Sequence, residues 1–222
     1  MPAVREFQDS VKKGDLEAVR SALEADSSLL DATNEAGQSA FLLAKYYRQE
    51  AMAAFLLSLN PKLDLFTHCA AGHTAEVLAA LEKDPALMTA HSGDGWTPLH
   101  LAAFFGCKDL AEALLARGAE IESRSTNSMK NTPLHAATAG RRNEMVKLLL
   151  ERGADANAMQ EGGWTALHGA SQNGDRDMVE TLIAHGADIN ARAGNNQCAM
   201  DMALLRGHQQ IADLLEGLGA KL

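Results

Sequence analysis

Apolar positions along most of the chain fall into short blocks of two alternating kinds. One is a compact run of leucine and alanine opened by a threonine, as in Thr97-Pro98-Leu99-His100-Leu101-Ala102-Ala103. The other is a stripe such as Leu110, Leu114 and Leu115, whose spacing of i, i+4 and i+5 is that of one helix face. In the first kind the threonine is placed to cap a helix, and proline at the first helical position gives up no needed hydrogen bond. The small alanines let a neighbouring helix come close. The stripe stops at Arg117-Gly118, where glycine is free to take the left-handed conformation of a C-cap. The pattern predicts pairs of short helices.

The pairs repeat. Thr132-Pro133-Leu134-His135-Ala136-Ala137 and Thr165-Ala166-Leu167-His168-Gly169-Ala170 copy the first block at intervals of 35 and 33 residues. Cys198-Ala199-Met200-Asp201-Met202-Ala203 is a degraded copy another 33 along. The second halves repeat as well: Leu114-Leu115-Ala116-Arg117-Gly118-Ala119, Leu149-Leu150-Glu151-Arg152-Gly153-Ala154 and Leu182-Ile183-Ala184-His185-Gly186-Ala187. A period near 33 with T-P-L-H-x-A resembles the ankyrin-repeat family, most specifically from Asp94 to Asn190. The resemblance implies an all-α solenoid of stacked helix-turn-helix units joined by short β-hairpin-like fingers.

The first half is a divergent copy revealed by a shift of 58 residues, which carries Gly14 to Gly72, Val19 to Val77, Gly37 to Gly95, Phe41 to Leu99 and Leu57 to Leu115. Helix-turn positions then run Gly14, Arg48, Gly72, Gly106, Arg141, Gly174 and Gly207, spaced by 34, 24, 34, 35, 33 and 33. The interval of 24 means that Asn60-Pro61-Lys62 replaces one finger. Seven units follow, at about 1–33, 34–61, 62–92, 93–127, 128–160, 161–193 and 194–222, in a single domain spanning 1–222. The end units read as caps, which a stack requires because they cannot bury both faces.

Composition narrows the function. Apolar residues make up 46% and charged residues 22%, ordinary for a chain with a core. The net charge of −9 argues against non-specific binding of nucleic acid, which needs a basic footprint. Three cysteines with no C-x-x-C pair speak against a disulfide framework or structural zinc and fit a reducing compartment. Met1 to Phe7 lacks the apolar core of a signal peptide, and stretches such as Ala51–Leu57 are too short to span a bilayer. The expectation is a cytoplasmic chain that engages no membrane.

No catalytic constellation stands out. Candidate groups recur at repeat spacing, so they are strung along a surface instead of converging on one pocket. There is no phosphate-binding glycine loop and no H-E-x-x-H. His68-Cys69 with His73 is the one compact His/Cys group, and its spacing is not a recognised zinc pattern. The recurring histidines 100, 135 and 168 take, by the family resemblance, the structural task of pinning a turn through the neighbouring threonine. No enzyme, cofactor or metal is expected.

Binding has better support. The resemblance implies a concave groove built from the fingers and the first helices, with the two residues before each helix turn facing it. Those pairs include Tyr46-Tyr47, Phe104-Phe105, Ala139-Gly140 and Gln172-Asn173, and the residues just before the capping positions, Trp96, Asn131 and Trp164 among them, lie on the same side. Six of the ten aromatics thus fall on the expected groove, while Phe7, Phe41, Phe55 and Phe66 fall at core positions. Each ring buries roughly 150–250 Å², so six supply on the order of the 800 Å² that one partner contributes to a standard interface. The rival reading has the tryptophans covering adjacent fingers and Tyr46-Tyr47 filling the space of the missing one. The fourth finger is two residues longer, with Met129 near its tip, and the fifth unit alone is net positive, with Arg141-Arg142 placed to meet an acidic group. The expected partner is another protein or a peptide segment. A homodimer and a small ligand in an aromatic cage are the alternatives. On this reading, serine at Phe104 and Phe105 abolishes capture and leaves the melting temperature nearly unchanged.

Overall fold

The computed structural model describes residues 2–221. It is all-α, with fourteen α-helices in seven hairpins among the described residues. The first helices of the hairpins are α1 (Pro2–Lys13), α3 (Ala40–Tyr46), α5 (Leu65–Ala71), α7 (Pro98–Phe105), α9 (Pro133–Ala139), α11 (Ala166–Asn173) and α13 (Ala199–Leu205). The second helices are α2 (Leu16–Ala25), α4 (Glu50–Ser58), α6 (Thr74–Lys83), α8 (Lys108–Ala116), α10 (Asn143–Glu151), α12 (Arg176–Ala184) and α14 (Gln209–Gly217). The fingers contain no regular strand among the described residues, only an isolated antiparallel bridge between Thr33 and Ser39.

The caps are those the sequence calls for. Ser39, Asp64 and Thr97 each accept a backbone N–H from the first turn of the helix they open. Thr132 and Thr165 form reciprocal caps with His135 and His168. Each of these histidines then reaches into the next unit. Nε2 of His100, His135 and His168 donates to the carbonyls of Asn131, Trp164 and Gln197, at 2.9, 3.1 and 3.1 Å. Those same carbonyls accept the N–H that closes each finger, from Ser125, Gln160 and Ala193. One buried imidazole therefore fixes its own helix start and the base of the following finger.

A second stitch runs along the opposite edge. The residue that opens a second helix bonds back to the carbonyl end of the preceding first helix: Gln49 Nε2 to Lys12 O at 3.0 Å, Arg142 Nε to Phe104 O at 3.1 Å and His208 Nε2 to Gln172 O at 3.1 Å. Helices α7 and α9 come so close there that a Cβ added to Gly140 would lie 2.1 Å from the Phe104 carbonyl oxygen. Backbone cannot yield as a side chain does, so Gly140→Ala is expected to cost about 1–3 kcal/mol in urea titrations. Gly217→Ala, with nothing within 4 Å, is the neutral control; equal effects from the two would sink the argument.

The missing finger reshapes the N-terminal half. Because Leu59–Asp64 links α4 to α5 without one, finger 33–39 lies directly against finger 92–97, and the Ala36 carbonyl sits where a Cβ on Gly93 would fall, 1.7 Å away. The core divides at the same place. Phe7, Val11, Val19, Phe41, Met52 and Leu56 form one buried cluster, whereas Leu42 joins the longer one that runs from Cys69 through Leu99, Leu134 and Leu167 to Leu215. Phe55 and Phe66 are only partly buried, and Phe55 is covered by the Arg20 guanidinium, 4.2 Å from the ring centre.

Candidate functional site

The first helices of successive units pack side by side, with the fingers at one end of each and the helix turns at the other. Two cavities open beside them. One, of about 270 Å³, is lined by Thr138, Ala139, Gln160, Trp164, Gln172 and Asn173 between the fifth and sixth units. The other, of about 260 Å³, is lined by Lys12, Asn34, Gln38, Tyr46, Tyr47 and Asp94.

Between them stands a packed ring cluster. Tyr46 lies 5.6 Å from Phe104, 5.1 Å from Phe105 and 6.2 Å from Trp96, and Phe104 meets both Trp96 and Phe105 edge-on at 5.0 Å. The third unit contributes only Ala70-Ala71 at this level, so rings of the second and fourth units close over it. The Tyr46 hydroxyl donates to Asp94 at 2.6 Å, and Ser92 and Gln38 donate to the same carboxylate. Burial, then the adjacent carboxylate, push the Tyr46 phenol well above its usual range. Asp94 did not stand out in the sequence, because its role depends on two fingers that only the missing one brings together.

The other groove candidates divide. Tyr47, Met129, Gln172 and Arg141 are exposed. Trp164 is half-buried, edge-on to His168 at 5.3 Å, and half-buried Asn173 donates through its side chain to the Thr138 carbonyl at 3.2 Å. Phe105 and Asn131, expected on the groove, are inside the fold: Phe105 is 7% exposed beneath Tyr46 and Phe104, and Asn131 is 7% exposed with its carbonyl bound to His100. Arg142, expected to meet an outside acid, spends its guanidinium on the Phe104 carbonyl. Serine at Phe104 and Phe105 therefore strikes packing, so the double variant is expected to lower the melting temperature instead of leaving it unchanged.

His68 and His73 place their Nδ1 atoms 3.1 Å apart, and Cys69 is buried with its thiol pushed up by desolvation. Among the described residues no group of three or more His, Cys, Asp or Glu is arranged to hold a metal ion, and no helix is long and apolar enough to cross a membrane.

Family models match along the same units. The model described as ankyrin repeats in three copies matches residues 122–193 and 159–222, and the single ankyrin-repeat model matches 94–126. Together they cover residues 94–222, more than half of the chain. The chain belongs to the ankyrin-repeat family. It is 37% identical over 86 residues to the serine/threonine-protein kinase VIK of Arabidopsis thaliana, which is 39% of this chain and 19% of the kinase. It is 39% identical over 105 residues to the human transient receptor potential cation channel subfamily A member 1, covering 46% of this chain and 9% of the channel. With the mouse ankyrin repeat and SAM domain-containing protein 6 the identity is 34% over 104 residues, 46% of this chain and 12% of that protein. This chain thus spans less than a fifth of the length of each of these relatives. An ankyrin-repeat stack is a protein-interaction module, and that is the level at which these matches speak to function.

Proposed function

We propose that this ankyrin-repeat chain is a non-enzymatic cytoplasmic module that holds a segment of another protein along its concave groove. The pair of cavities on either side of the ring cluster carries the reading. Each is large enough for one or two side chains of an extended segment, and each presents an aromatic wall beside amide groups, the mixture that anchors and orients a bound chain. Tyr46, Trp96 and Phe104 serve as the wall between the cavities. Tyr47, Met129, Trp164, Gln172 and Arg141 are the groups left to touch the partner. The rings stand 5.0–6.2 Å apart and fill the space between them, which disfavours an aromatic cage for a small cation.

Tyr47, Met129 and Gln172 are exposed, so replacing all three by alanine removes contact area with little effect on folding. The triple variant is expected to lose at least about tenfold in affinity-captured partner, the effect of some 1.4 kcal/mol, with its melting temperature held. Capture at the wild-type level by this variant would place the partner elsewhere.

A further inference from the structure

Five of the seven helix-turn positions are glycine, with φ between +68° and +78°; the other two are Arg48 at +56° and Arg141 at +57°. That backbone region penalises any residue with a Cβ, and asparagine is the usual substitute for glycine there. This chain has arginine twice at the place where it is least comfortable. Both side chains are exposed, and neither enters any of the ion pairs among the described residues. Their basic neighbours are occupied: Lys45 pairs with Glu50 at 3.2 Å and Arg142 holds the Phe104 carbonyl. Glu50, the acid closest in sequence to Arg48, is thereby taken, and the acid closest in sequence to Arg141 is Glu144, in the first turn of α10.

Each arginine follows closely in sequence on a residue that lines a cavity, though neither arginine lines one itself. Tyr47, which precedes Arg48, lines one, and Ala139, two residues before Arg141, lines the other. The two turns are three repeats apart on the rim opposite the fingers. At about 9 Å per packed helix the separation is roughly 27 Å, which an extended chain crosses in about eight residues.

We infer that the segment held in the groove is extended and acidic at both ends, with a carboxylate on Arg48 and another, about eight residues away, on Arg141. The inference rests on the groove reading above and adds the partner's chemistry to it. A guanidinium binds a carboxylate with two parallel hydrogen bonds, which fixes register as well as charge. The chain as a whole is net −9, so an acidic segment is held only where basic side chains are free to meet it. A nucleic acid fits less well, because cations spaced a repeat or more apart along the helix turns do not make the continuous basic track that a polyphosphate needs.

The test is selection from a random dodecapeptide library on the full chain, run beside Arg48→Gly, Arg141→Gly and the double variant. Glycine removes the charge and suits the backbone, so melting temperatures are expected to hold or rise by up to about 3 °C. The wild-type chain is expected to enrich peptides with two acids about eight residues apart. Each single variant is expected to relax the requirement at one end only, and the double variant to lose at least about tenfold of the enrichment. Groove-binding peptides without paired acids, or acid pairs still selected by the double variant, would overturn the inference and leave the groove reading standing. Failure of any peptide to bind would remove both. Arginine-dependent retention of a single-stranded DNA oligonucleotide in place of acidic peptides would also overturn it, by showing that the rim reads phosphate.

Discussion

Acidification from pH 6.5 toward 4 is expected to strip the stack of most of its stability, and the three buried histidines are the reason. In each, Nε2 donates to a carbonyl of the next unit, so Nδ1 carries no proton and accepts from threonine: at 2.8 Å from the hydroxyl of Thr97, Thr132 or Thr165, and from the backbone N–H of Thr132 and Thr165 as well. A second proton, on Nδ1, would set donor against donor at the threonine. Burial accordingly pulls His100 and His135 from 6.5 down to about 4, and His168 in the same direction. Because these values are lower folded than unfolded, the unfolded chain binds more protons between them. The stabilisation is complete above about pH 6.5 and is lost as pH falls toward 4. For His100 and His135 it comes to about 3 kcal/mol each, against a total of about 5–15 kcal/mol for an ordinary domain. Urea midpoints measured from pH 7.5 to 4 should fall steeply through this window, and His135→Asn should flatten the slope. A midpoint constant down to pH 4.5 would show that the imidazoles take their protons without breaking the finger bases.

Phe105→Ser is expected to cost about 3–5 kcal/mol, the usual loss for emptying a buried phenylalanine site. The ring is covered by Tyr46 and Phe104, and it is one of the few places where the second unit grips the fourth across the small third unit. Phe104→Ser, at a half-buried position with Trp96 and Tyr46 to either side, should cost less. Thermal melts of the two single variants and the double variant measure both effects. A Phe105→Ser protein that melts with the wild type would mean that the ring cluster contributes contact surface and little cohesion.

Most of the architecture was legible because repetition makes every unit evidence for the others. Thr97-Pro98-Leu99-His100 alone suggests a helix start; three such blocks at intervals of 35 and 33 residues define a stack. The candidate site was legible only as a direction. A repeat position indicates which way a side chain leaves the helix, not whether the neighbouring units are bulky enough to cover it. Phe105 occupies a repeat position expected to face outward and is buried because Ala70-Ala71 let Tyr46 lean across. Asn131 faces the same side, yet the fold uses its backbone carbonyl, which no residue type advertises. Asp94 matters because finger 33–39 and finger 92–97 touch, a contact created by residues that are absent between them.

That absent finger has a consequence for how the molecule comes apart. A solenoid with uniform neighbours unzips from either end with no preferred seam. Here the cluster around Phe7, Phe41 and Leu56 is separate from the one that continues to Leu215. The two blocks are tied chiefly by Leu42, the ring cluster, the Tyr46–Asp94 bond and the fit of Ala36 on Gly93. The first two units are therefore expected to detach as one cooperative piece while the other five stay folded, with amide protons at the seam exchanging ahead of those in the longer cluster.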